Sequence, residues 1–141
     1  MIRRALVVAC MVAGIGTAWA DCWDMVSQKY QLPVNLLRSI AAQESGFRNS
    51  AINTNKDGSR DVCMMQINST HFPRLQREFG ITEYELRTNA CTCLDVAGWI
   101  LWDNRQRLGA SWDFVGAYNA ASPEKRQAYA WKIYRRLFEP K

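Results

Sequence analysis

The chain has 141 residues, a formal net charge of +5, five cysteines and one histidine. That length predicts one domain, and its apolar runs are too short to span a bilayer comfortably. His71 is remote from Cys91 and Cys93, which are only two apart, so the spacing argues against a structural zinc site and no metal or cofactor is expected.

In chain order, Arg3-Arg4, the apolar run Ala5 to Ile15 and the small-residue site Ala18-Trp19-Ala20 predict a secretory signal over 1–20. An uncleaved anchor is the alternative, and too few apolar residues precede Cys10 for a lipoprotein cysteine. Cleavage after Ala20 leaves a domain over 21–141, 121 residues with a net charge of +3, which is enough for one core. An exported chain retaining Cys22, Cys63, Cys91 and Cys93 is expected to carry two disulfides. Export also argues against a nucleic-acid partner for the cations near the C-terminus, which read as a solvated helix surface or as attraction to an anionic polymer or membrane.

The exported part reads as mainly helical. Helices are expected over Trp23–Tyr30 and over Pro33–Ser45, with Pro33 in the first turn and Gly46 just past the end. Asn49 to Asp61 is turn-rich and predicts a loop or small hairpin at Asp57-Gly58. Val62–Asn68 predicts a short strand. Ser69 or Thr70 is a candidate cap for a helix ending at Gly80, and Thr82 with Glu85 fits a capping box. A long helix runs through Leu94, Ala97, Leu101 and Leu108 to Gly109. Ser111 is a candidate cap for another through Tyr118. Ser122-Pro123 opens the last helix, with Ala130, Ile133, Tyr134 and Leu137 inside. Trp99, Trp102, Phe114 and Trp131 are expected in the core.

One position breaks the pattern. Leu37, Ile40, Ala41 and Glu44 fall at i, i+3, i+4 and i+7, so a carboxylate stands on the apolar face of its helix. An unpaired buried carboxylate answers with a raised pKa, which is what a general acid needs. Helical position alone also fits a solvated helix end or an ion pair with Arg48.

The flanking motifs decide. Glu44-Ser45-Gly46-Phe47, Met64-Met65-Gln66-Ile67-Asn68 and Gly116-Ala117-Tyr118-Asn119-Ala120 occur in this order. Together they resemble the lytic transglycosylases of the lysozyme-like superfamily, above all the small specialised enzymes that serve type III secretion systems, type IV pili and related envelope machines. The resemblance covers about residues 22–135. It implies a helical bundle around one core, an α+β lysozyme-like fold with a short irregular or hairpin insertion and a glycan-binding cleft. Glu44 matches the catalytic acid/base. Ser45, Met65, Gln66, Tyr118 and Asn119 match substrate-binding positions, with the Tyr118 hydroxyl expected near the carboxylate. Asp61 and Asp57, in the insertion, are candidates for a supporting carboxylate, Asp61 ahead because it lies closer to the Met65-Gln66 motif. A turn residue at Asp57 and a solvated Asp61 are equally open.

The family pattern has glycine at Cys63 and commonly a non-cysteine at Cys93. Both departures are to cysteine, so Cys63 is expected to pair with Cys93, and the subgroup's pattern implies Cys22 with Cys91. The resemblance further implies a periplasmic monomer that cleaves peptidoglycan glycan strands with formation of 1,6-anhydro-muramic acid, opening the wall locally for a secretion or pilus apparatus. A non-catalytic peptidoglycan-binding assembly factor and a hydrolytic lysozyme are the rival readings.

Overall fold

The computed structural model describes residues 18–139, with side chains from Cys22 onward. Residues 1–17, which hold Arg3, Arg4, Cys10 and most of the expected signal, lie outside the described residues. The order is α1 (Ala18–Tyr30), α2 (Val34–Ser45), β1 (Ile52–Thr54), β2 (Arg60–Val62), β3 (Ile67–Asn68), a 3-10 turn (Ser69–His71), α3 (Phe72–Phe79), α4 (Glu83–Thr88), α5 (Ala90–Leu108), α6 (Asp113–Gly116) and α7 (Pro123–Phe138). No helix among the described residues is long and apolar enough to cross a membrane.

Helix α5 forms the axis. Asn89 caps it, its Oδ1 accepting from the Cys91 and Thr92 amides at 3.0 and 3.2 Å. Cys93, Leu94, Val96, Ala97, Trp99, Ile100 and Leu101 are buried, so this helix is apolar around most of its circumference. Each fully buried Leu or Ile here stabilises the fold by roughly 2 kcal/mol over exposure. Helices α1, α4 and α6 pack on α5, while α2 packs on α7.

Two close approaches set the helix geometry. A methyl group on Gly98 would meet the Tyr30 and Val26 side chains of α1 at 2.6 and 2.7 Å. One on Gly116 would meet the Arg126 carbonyl oxygen of α7 at 2.4 Å. The α2 terminus obeys its sequence signal: Gly46 has φ 61°, its amide donates to the Ala42 carbonyl at 3.2 Å, and the Phe47 amide donates to the Ala41 carbonyl at 3.3 Å.

The insertion is a three-stranded antiparallel sheet in the order β1-β2-β3. Ile52 pairs with Val62 and Val62 with Ile67, while Asn53 pairs with Asp61 and Asp61 with Asn68. Because successive side chains alternate faces, this register sends Val62 and Ile67 into the core and leaves Asp61 and Asn68 half-buried on the other side. Both expected disulfides are present. Cys22–Cys91 spans 69 residues and Cys63–Cys93 spans 30. The longer loop contributes on the order of 4 kcal/mol in the chain-entropy view.

Several boundaries differ from expectation. Helix α1 begins at Ala18, so the expected cleavage site falls in its first turn. Pro33 is the cap of α2, not part of its first turn, because its ψ of 134° is extended. The strand expected over Val62–Asn68 is split by a turn at Cys63–Gln66. There Cys63 and Gln66 have φ of 63° and 51°, and the Gln66 amide donates to the Cys63 carbonyl at 3.1 Å. Asn68, not Ser69 or Thr70, caps the segment leading into α3, since the Ser69 hydroxyl is taken by the Arg60 amide. The helix expected from Ser111 through Tyr118 is limited to α6. Trp102 and Trp131 are 39% and 54% exposed, not core, because they lie on the outer faces of α5 and α7. Trp99 is buried and Phe114 packs partly against the core.

Gly116→Ala is expected to destabilise the protein by about 2 kcal/mol, because the clash is with backbone and α7 must move to relieve it. Urea unfolding followed by circular dichroism measures it, and an unchanged midpoint contradicts this reading of the α6–α7 contact.

Candidate functional site

Glu44 is placed by its phase. Leu37, Ile40 and Ala41 are fully buried on the same stripe of α2, and the stripe carries the carboxylate inward at the last turn. It opens into a cleft of about 670 Å³ between the sheet, α5 and the α6–α7 region. The sheet side contributes Asn55, Asp57, Ser59, Asp61, Gln66 and Asn68, and the helical side Ile100, Asn104, Arg107, Tyr118, Asn119 and Arg126. A row of amides, hydroxyls and carboxylates with few apolar contacts suits a polyhydroxylated ligand.

The Tyr129 hydroxyl, from the buried side of α7, donates to Glu44 Oε1. Burial is the main cause that lifts the Glu44 pKa above the usual glutamate value. The Asp61 charge lifts it further, while the Tyr129 hydrogen bond and the Lys132 charge oppose the rise. The negative end of the α2 dipole also disfavours a carboxylate in that turn. Burial and the Glu44 charge hold the Tyr129 phenol far above the usual tyrosine range, so it remains a donor. Glu44 forms no ion pair with Arg48, whose Nε donates to the Ser45 carbonyl at 2.9 Å.

The other expected site residues divide. Gln66 and Asn119 line the cleft. Gln66 Nε2 donates to the Cys63 carbonyl at 2.9 Å, and Asn119 stands exposed at the rim. Tyr118 also lines the cleft, but its hydroxyl donates to the Met65 carbonyl at 2.7 Å instead of to Glu44. Ser45 is buried, donating to the Met64 carbonyl at 2.7 Å and accepting from the Arg48 amide at 3.0 Å, so its hydroxyl is used inside the fold. Met65 is fully buried and presents only its carbonyl, through Tyr118, to this region. The Ser45 hydroxyl, at the end of α2, and the Met65 thioether, in the tight turn after Val62, thus both face the protein interior.

Asp61 and Asp57 both line the cleft in different ways. Asp61 accepts from Asn55 Nδ2 at 3.0 Å and Asn68 Nδ2 at 2.7 Å, an arrangement fixed by the β2–β3 register. Asp57 accepts from the Ser59 amide and hydroxyl at the hairpin tip, and those bonds hold its carboxyl below the usual aspartate range. Its bonding is that of a turn residue. Among the described residues no cluster of His, Cys, Asp and Glu has the makings of a metal site.

Sequence reasoning missed Tyr129, Asn55 and Asn68. Tyr129 had a signal, since it lies one turn before Ile133 on the inner stripe of α7. The two asparagines had none beyond their turn propensity, because their role depends on strand register.

A family model described as the transglycosylase SLT domain matches residues 21–132. Protein IpgF of Shigella flexneri is 41% identical over 140 residues, covering 96% of this chain and 90% of that protein. Invasion protein IagB of Salmonella typhi is 41% identical over 140 residues, covering 94% and 87%. The solved structure of an inactive mutant of lytic transglycosylase Slt from Pseudomonas aeruginosa matches with a TM-score of 0.60 at 18% identity. That match covers 89% of this chain and 25% of the other, and bears on the fold alone.

Two substitutions are expected to move the Glu44 titration in opposite directions. Tyr129→Phe removes a donor that favours the carboxylate and raises the pKa; Asp61→Asn removes a repelling charge and lowers it. Carboxyl ¹³C NMR of the purified variants reads both, and a shift of the same sign in each contradicts the assigned contacts.

Proposed function

The chain belongs to the transglycosylase SLT domain family, and we propose that it cleaves the β-1,4 bond between N-acetylmuramic acid and N-acetylglucosamine in peptidoglycan, leaving a 1,6-anhydro-muramoyl end. The observation that carries this reading is Glu44, half-buried in a polar cleft, with its pKa raised by burial and its carboxylate held by Tyr129.

Protonated Glu44 gives its proton to the glycosidic oxygen as the bond breaks. Positive charge develops at the muramoyl anomeric carbon, where the substrate's acetamido group and the cleft's dipoles stabilise it. Glu44 is then a carboxylate, and the Tyr129 hydrogen bond stabilises that form. It removes the proton from the muramoyl 6-hydroxyl, whose oxygen attacks the anomeric carbon and closes the anhydro ring. One residue serves both steps because its pKa lies between the two tasks. Gln66, Tyr118 and Asn119 line the path of the glycan, and Asp61 is the candidate that supports the cation. Ser45 and Met65 act behind them, fixing the turn that carries Gln66.

Hydrolysis is the second reading, and Asp61 favours it: a second carboxylate in the same cleft suits activation of water or stabilisation of a cation. The product separates the two, since the anhydro end is lighter by one water. The expected setting is outside the cytoplasm, with residues 1–20 as the export signal. Opening the wall locally for an envelope-crossing apparatus agrees with the similarity to a protein named for invasion.

Glu44→Gln is expected to lower release of anhydro-muropeptides from purified sacculi by about 10³-fold, measured by mass spectrometry of the soluble products. Undiminished release removes the assignment. The same variant is expected to be at least as stable as the parent above neutral pH. A carboxyl whose folded pKa is raised makes the native state bind more protons than the unfolded chain, so stability falls as pH rises through that window. Glutamine escapes that loss, and its advantage fades as pH falls through the folded pKa of Glu44. Thermal unfolding across pH tests it, and an advantage that grows towards acid contradicts it.

A further inference from the structure

A second concavity lies along the outer side of the α2–α7 contact and takes no part in the cleft. It encloses about 850 Å³. One wall is the α2 stripe Asn35, Arg38, Ser39 and Ala42, with Gln43; the other is the α7 stripe Lys132, Arg135, Arg136 and Glu139. Both are spaced at i, i+3, i+4 and i+7, so two helices each present a face to the groove.

Its charge is one-sided. Arg38, Lys132, Arg135 and Arg136 form no ion pair among the described residues, and Glu139, at the far end of α7, pairs with none of them. Elsewhere cations are commonly matched: Lys29 with Asp95 at 2.8 Å, Arg107 with Asp103 at 3.0 Å, Arg126 with Asp113 at 3.3 Å. Arg136 Nε donates to Gln43 Oε1 at 2.7 Å, and Arg38 lies over the Trp23 ring at 5.5 Å. Two guanidinium groups are thus held in place, with faces and edges suited to carboxylates.

The groove is also close to the chemistry. Gln43 is the residue before Glu44, and the Lys132 charge is felt at the Glu44 carboxylate. We propose that the α2–α7 groove binds the carboxylates of the peptide stems that peptidoglycan carries on its muramoyl residues, an inference that rests on the transglycosylase reading. A stem on a muramoyl residue held in the cleft is tethered beside Glu44, and its free carboxylates meet Arg38, Arg135 and Arg136 without a separate binding event. Concavity and the hydrogen-bonding residues Asn35, Ser39 and Gln43 favour a short anionic peptide over a flat anionic membrane.

The test uses the full-length protein carrying Glu44→Gln, so that sacculi are bound without being cut. Pull-down is compared on immobilised glycan strands that keep their stems and on immobilised strands stripped of stems by an amidase, since removing the stems also removes the cross-links that make sacculi sediment. The parent is expected to bind the stem-bearing form about tenfold more tightly at low ionic strength, with the preference shrinking in salt. Arg38→Gln/Arg135→Gln is expected to lose that preference, and Arg38→Lys/Arg135→Lys to recover part of it. An acidic synthetic stem tetrapeptide is expected to displace the parent from stem-bearing sacculi, a readout that needs no groove variant to fold. Equal binding to stripped strands, a preference that survives the glutamine pair, no displacement by the peptide, or tighter binding to phosphatidylglycerol vesicles than to sacculi overturns the proposal. The catalytic reading fails separately, through absence of anhydro product from the wild-type protein, and the pull-down still decides the groove.

Discussion

The contact between Glu44 and Tyr129 is the constraint on which the rest of the structure depends. It joins the end of α2 to the middle of α7, a boundary that also carries the Arg136–Gln43 hydrogen bond and the buried side chains of Ile40, Ala41 and Ile133. Burial makes the carboxylate's charge costly, and a single phenol donor keeps it affordable without fixing it in the charged state. A lysine or arginine in place of Tyr129 would bind the anion more strongly and hold its proton away. A phenol that stays protonated offers a hydrogen bond and no full charge.

The opposite wall is stiffened by other means. The turn after Val62 places two non-glycine residues, Cys63 and Gln66, at positive φ, a backbone region that disfavours side chains by roughly 1 kcal/mol or more each. Several bonds over-determine it. Cys63 is tied to Cys93 of α5 and its amide to the Ala51 carbonyl; the Met64 carbonyl accepts from Ser45 and the Met65 carbonyl from Tyr118. Glycine would adopt φ of 63° without strain. Cysteine at that position exchanges conformational ease for a covalent tie to the central helix. Ser45 and Tyr118 therefore contribute to the cleft by holding its floor.

Charge is distributed with the same division of labour. The cleft walls carry amides and hydroxyls, two aspartates held by asparagines and a serine, and the cations Arg107, Lys125 and Arg126, of which Arg107 and Arg126 are paired with Asp103 and Asp113. Cations that form no ion pair among the described residues collect on the far side of α2 and α7, and one of them, Lys132, acts on the Glu44 carboxylate from outside the cleft.

Much of this was readable from sequence because it is local. The helical phase of Leu37, Ile40 and Ala41 fixes where Glu44 points, Thr82 and Glu85 spell out their own cap, and three motifs in order imply the family. Turn chemistry at Asp57-Gly58 foretells a hairpin. Which of Ser45, Met65, Gln66, Tyr118 and Asn119 faces the cleft was not readable, because each stands in a matching motif while the backbone angles of the turn orient Met65 and Gln66, and partners on other elements, Met64 and Met65, take up the Ser45 and Tyr118 hydroxyls. Likewise Asp61 differs from Asp57 through the β2–β3 register, which sets Asn68 opposite it. Tyr129 meets Glu44 from 85 residues away. Sequence determined which groups are present and which face of its own element each one occupies; tertiary structure decided who meets whom, since packing α7 on α2 and β3 on β2 alone brings distant polar atoms within bonding distance.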